Sequence, residues 1–109
     1  MKITVVALLF PFVVHAALLE CKNLVNLEVV SEGSVTPVKK VKLLVSTSDE
    51  VVSYVTETGP EQYLVEAYLP NLQMRIYSEG SISKPDQTLT ASAWDRSLMV
   101  DVICKKQSR

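Results

Sequence analysis

Cys21 and Cys104 are the only cysteines in this 109-residue chain, and His15 is its only histidine. Thiols and imidazoles carry most nucleophilic, acid–base and zinc chemistry, so their number and position bound what the protein can do. His15 falls in a segment that reads as a cleavable leader. With it removed, Ser-His-Asp sites, Cys-His sites and the usual zinc sites have no imidazole to use. An even cysteine count in an exported chain favours a disulfide between Cys21 and Cys104, which would remove the thiolate nucleophile too.

The remaining chemical signals are weak. Gly33, Gly59 and Gly80 stand singly, so no glycine-rich loop can cradle a phosphate. Ser81-Ile82-Ser83-Lys84 spells the S-x-x-K of penicillin-recognising enzymes, but it precedes Pro85 in a loop-like stretch and lacks the helix start that motif needs. Asp49-Glu50 and the other acids fall mostly at turns and outward strand positions, where solvation explains them better than a pair of glycosidase carboxylates. The sequence therefore predicts a non-enzymatic protein with no catalytic residue, no metal site and no cofactor.

Export is inferred from the first sixteen residues. Met1-Lys2 is a minimal basic start, Ile3 to Val14 is uncharged, and Val14-His15-Ala16 suits signal peptidase cutting after Ala16. A spanning helix needs roughly 20 apolar residues, and this run is shorter and contains Pro11. Residues 1–16 are read as a signal peptide and 17–109 as a single domain. Losing Lys2 and His15 leaves ten basic and twelve acidic side chains. So small a net charge argues against nucleic acid and against anionic membranes as partners. The expected product is a secreted, soluble monomer.

The elements that must position any site are strands. Short runs alternate with period two and are separated by turn residues: 24–30, 38–45, 51–56, 62–69, 72–78 and 97–104, with a further short strand at 88–93. Val25, Leu27 and Val29 are expected to face the core, as are Val41, Leu43 and Val45, and Leu98, Val100, Val102 and Cys104. Runs 62–69 and 72–78 flank Pro70-Asn71 and read as a hairpin with a wider turn, because proline cannot supply the positive φ of the tightest hairpins. The expected fold is all-β: six or seven short strands in an antiparallel β-sandwich, or barrel-like sandwich, of two sheets closed by one disulfide.

Candidate partner-binding residues are Lys39, Lys40, Lys42, Tyr54 and Trp94. The lysines suit either the solvent face of an edge strand, where they discourage aggregation, or a partner docking by strand addition near 39–45 or 51–56. Tyr54, Tyr63, Tyr68 and Tyr77 suit core or interface. Trp94, in Ala93-Trp94-Asp95-Arg96, either caps one end of the core or, if exposed, marks a contact site.

A leader, about 90 further residues, a cysteine opening the first strand and about six short strands together resemble the MAX effectors of plant-pathogenic fungi. That resemblance implies two three-stranded antiparallel sheets with the first and last strands as neighbours, so that Cys21 and Cys104 meet. It also implies a secreted effector that enters host cells and binds a host protein. The family's usual bridge reaches the region before the fifth strand, near Ser78 to Asp86, where this chain has no cysteine. The alternative reading is a secreted extracellular binding or inhibitory module with a glycan or protease target.

Overall fold

Alternating side chains rich in Val, Leu and Thr suit a pleated surface with one buried face, and turn residues divide them into short lengths. The computed structural model describes residues 18–107, so the predicted leader lies outside the described residues. The chain forms eight strands: β1 (Leu19–Val25), β2 (Glu28–Val35), β3 (Lys42–Thr47), β4 (Val52–Gly59), β5 (Gln62–Leu69), β6 (Met74–Ser81), β7 (Thr88–Trp94) and β8 (Met99–Lys106). They make two four-stranded sheets, ordered β2-β1-β8-β7 and β3-β4-β5-β6, with every pairing antiparallel.

The two edge pairs, β2 with β3 and β6 with β7, also pack against one another. Each strand therefore lies beside its sequence neighbours, as in an up-and-down meander rolled into a flattened barrel. The all-β, two-sheet, disulfide-closed fold is the predicted one. Its strand count is eight, and the physical reasons are local.

The run 24–30 is not one strand but the β1–β2 hairpin. Asn26 and Leu27 take φ of 51° and 71°, the paired positive values of the tightest hairpin turn. Val25 is buried as expected, whereas Leu27 and Val29 are exposed. The run 38–45 breaks at Lys40, where φ is 61°, and a Val38–Val41 bridge closes a turn before β3 begins. Leu43 and Val45 are half-buried while Val41 is exposed. β4 is paired on both sides, so 51–56 offers no open edge.

The hairpin of β5 and β6 holds, with a four-residue loop in which Leu72 N–H donates to Leu69 C=O at 3.1 Å. β8 buries Val100, Val102 and Cys104, with Leu98 packed against them from the loop before it.

The interior is filled by Leu19, Val55, Tyr63, Val65, Leu69, Ile82 and the Cys21–Cys104 disulfide, with small Ala67 and Ala91 where the sheets are close. Cys21 and Cys104 face each other across β1 and β8 with Cα atoms 4.1 Å apart, near the spacing of a non-hydrogen-bonded antiparallel pair. One polar cluster spans both sheets. Asn23 Nδ2 donates to Ser31 Oγ at 2.9 Å and Ser46 Oγ at 2.8 Å, and Ser46 Oγ lies 3.2 Å from Ser53 Oγ. Asn23 Oδ1 is buried and accepts no hydrogen bond among the described residues.

Two glycines mark the corners. A Cβ on Gly33 in β2 would collide with the carbonyl oxygen of Val45, where a bulge in β3 turns that group out of the β3–β4 ladder. A Cβ on Gly80 in β6 would come within 3.0 Å of Leu89 Cδ1 in β7. The first obstacle is backbone and the second is the tip of a flexible side chain.

Gly33→Ala is accordingly expected to destabilise the fold by about 3 kcal/mol, at the upper end of overpacking costs, and Gly80→Ala by under about 1 kcal/mol; urea unfolding of both variants checks the contrast. Reduction of the disulfide, which closes a loop with a sequence separation of 83, is expected to lower stability by about 4–5 kcal/mol on the chain-entropy model, read from the urea midpoint with and without dithiothreitol. Burial, reinforced by Glu57 and Glu61, raises the Tyr63 phenol above its ordinary value of 10.0. The folded chain thus holds this proton where the unfolded chain releases it, and stability falls as pH climbs past that value. Thermal unfolding across alkaline pH should show a shallower fall in Tyr63→Phe.

Candidate binding surfaces

The residues singled out for partner binding fall in two places. Lys39 makes a parallel bridge to Glu57, and Lys40 N–H donates to Glu57 C=O at 2.8 Å, so this pair covers the upper end of β4 instead of continuing β3. Lys42 opens β3 on the outer face. Its ammonium lies 4.7 Å from the centre of the Tyr54 ring and 3.7 Å from Glu66, which also receives Arg75 at 3.4 Å. Lys42 and Tyr54 are thus brought together, and Lys39 and Lys40 do not share their face. β3 is a sheet edge as expected, yet β2 crosses it at Gly33, so its middle is not free for an added strand.

The tyrosines separate by pleat. Tyr63 points inward and is buried. Tyr54, Tyr68 and Tyr77 share the outer face of the β3-β4-β5-β6 sheet, and Tyr77 is 72% exposed. Ser81 to Lys84 does not open a helix. Gln87 Oε1 accepts from Ser83 N–H, Ser83 Oγ–H and Lys84 N–H, which fixes a turn after β6. The described residues contain no group of three or more His, Cys, Asp or Glu side chains that could hold a metal ion.

Trp94 ends β7 and is 77% exposed, so it is a surface residue and not a cap on the core. It belongs to an apolar rim at the end of the barrel opposite the start of β1 and the end of β8. Trp94 lines a small depression with Leu72, Met74, Ala93 and Leu98, and it lies opposite Met99 across β7 and β8. Met99 is tied to the β1–β2 turn: Asn26 N–H donates to Met99 C=O at 2.7 Å, and Met99 N–H donates to Asn26 Oδ1 at 2.9 Å. The next residue is Leu27. Leu27, Leu72, Met74, Trp94 and Met99 are all exposed.

Sequence reasoning found Trp94 and missed the other four. Leu27 is expected on a core face but stands in the β1–β2 turn, and Leu72 is expected in a strand but stands in the β5–β6 loop, whereas Met74 opens β6 as expected. Backbone angles single out Leu27. Among the described residues, five other than glycine have positive φ: Asn26, Leu27, Lys40, Glu61 and Gln73. Four are polar, and Asn26 uses its Oδ1 to accept from Met99 N–H. Leu27 alone combines an unfavourable backbone with an apolar side chain that is 70% exposed.

Comparison of the chain with protein-family models, with curated proteins and with solved structures found no match.

Proposed function

We propose that the chain is a secreted, non-enzymatic effector that acts by binding a host protein through the rim of Leu27, Leu72, Met74, Trp94 and Met99. The observation that carries this reading is Leu27. A leucine at positive φ costs about 1–2 kcal/mol relative to glycine, and exposing it forgoes its burial as well. Strain of this kind persists where a surface serves contact, and a neighbouring exposed tryptophan is the side chain most enriched in binding hot spots.

Of the arrangement the MAX resemblance implies, the first and last strands are neighbours, while the sheets have four strands each instead of three and the bridge is not the family's usual one. The extracellular glycan reading is the less favoured. Its best surface is the tyrosine face, and there Lys42 already occupies the Tyr54 ring.

The test uses protein purified from secreting cells with its disulfide intact. Leu27→Gly is expected to raise stability by about 1 kcal/mol, because the turn then has the residue its second position favours. It should at the same time weaken capture of the host protein by about tenfold or more, as loss of a hot-spot side chain does. Trp94→Ala should weaken capture similarly with stability little changed. Pull-down from host extract read beside urea unfolding checks both. No captured protein, or capture unchanged by both substitutions, would overturn the proposal.

A further inference from the structure

The chain has three methionines, and the two that follow the predicted leader both lie beside its one tryptophan. Met99 is the cross-strand partner of Trp94 at the end of the β7–β8 pairing, so the two side chains share a face of that sheet. Met74 lines the same small depression as Trp94, from the other sheet. Met74 is 44% exposed and Met99 38%, so solvent reaches both.

Cys21 and Cys104 hold the other sulfur atoms of the described residues, and they are joined and buried. With no free cysteine present, the thioethers of the rim are the reduced sulfur that a peroxide in solution meets. A methionine sulfur attacks one oxygen of hydrogen peroxide, the O–O bond breaks, and that oxygen stays on sulfur as a sulfoxide. The second oxygen leaves as water with both protons, and the two electrons lost by sulfur are those the peroxide gains.

Their placement lets the fold tolerate this product while a contact cannot. Neither methionine belongs to the buried core. Met99 is held to Asn26 through its backbone N–H and C=O, and Met74 is paired with Leu69 on the first rung of the β5–β6 ladder. None of these bonds uses the methionine side chain. A sulfoxide on either residue keeps its dipole in water while the rim is free. A partner covering the rim must strip that water away, and a polar group buried without a hydrogen-bond partner weakens binding.

We propose that Met74 and Met99 form a modification site, at which hydrogen peroxide converts both to sulfoxides in the folded protein and thereby weakens capture by the rim. The proposal rests on the rim being the contact surface, and it adds a chemical control of that surface.

The test treats the disulfide-intact protein with hydrogen peroxide, removes the excess with catalase, and maps the modified residues by peptide mass spectrometry. One oxygen should be gained at each of Met74 and Met99, with the urea midpoint unchanged. Capture from host extract should fall about tenfold, as when a contact side chain of a hot spot is lost. Met74→Leu combined with Met99→Leu keeps volume and apolar character but has no sulfur to oxidise. Whatever its starting level, capture by this double variant should be the same before and after peroxide. Methionines that stay unmodified in the folded protein, a urea midpoint that falls with oxidation, capture undiminished by the sulfoxides, or an equal loss in the double variant would each overturn the proposal. Capture that is present but insensitive to oxidation removes this proposal alone, whereas no capture before treatment removes the host-protein reading and this one with it.

Discussion

Seven of the eight side-by-side strand adjacencies around this barrel join neighbours in sequence across loops of two to six residues, and the eighth joins β1 to β8 across the whole domain. Loop closure becomes more costly as the intervening chain lengthens, so this pairing is the one whose formation is most opposed by entropy. Without it β1 and β8 would each present an unpaired edge, and the inward faces of the two strands would have no common interior to fill. The Cys21–Cys104 bond lies within that pairing. Beyond it, Gln107 N–H donates to Leu18 C=O at 2.8 Å at one end, and Asn26 and Met99 are joined at the other. The one strand pairing not made between sequence neighbours is therefore held covalently in its middle and by hydrogen bonds past both strand ends.

Closure also determines what the interior can do. A flattened barrel whose corners bring β2 onto β3 and β6 onto β7 has room for small residues at those corners and for packed side chains between the sheets. The cluster of Asn23, Ser31, Ser46 and Ser53 draws on β1 to β4, the four strands that meet around the Gly33 corner. Because buried hydrogen bonds have fixed partners, this cluster ties the register of one sheet to the other more narrowly than apolar packing would. An interior occupied in this way leaves recognition to the outer faces and to the loop ends.

The legible parts of the sequence were those where one residue pattern had one meaning. The β8 alternation of Val100, Val102 and Cys104 was such a case, as was the β5–β6 hairpin, whose Pro70 excluded the tightest turn. The β1–β2 hairpin was hidden because its turn is Asn26-Leu27 and not Asn-Gly, so an apolar alternation seemed to run straight through it. The full extent of β1 is not legible, because its inward set of Leu19, Cys21, Asn23 and Val25 contains a polar residue and follows closely on the predicted leader. Ser31-Glu32-Gly33-Ser34 and Glu79-Gly80 read as turns, since glycine and serine usually mark them. In the barrel those glycines are strand residues at corners, where close backbone approach excludes a Cβ. Apart from Trp94 the rim is not legible for a related reason: an exposed leucine in a turn has the same composition as a buried one in a strand.

The magnitudes explain how these features coexist. A domain of this size has a net stability of about 5–15 kcal/mol, and a loop closure of this length contributes about 4–5 kcal/mol of it. Leu27 draws on that margin with about 1–2 kcal/mol of backbone strain. The bridge offsets it, because its effect is on the unfolded chain and is felt by every residue it encloses. A covalently closed meander can therefore hold a strained, apolar turn at one end without losing its fold, which an open sheet of the same length could do only with a larger core.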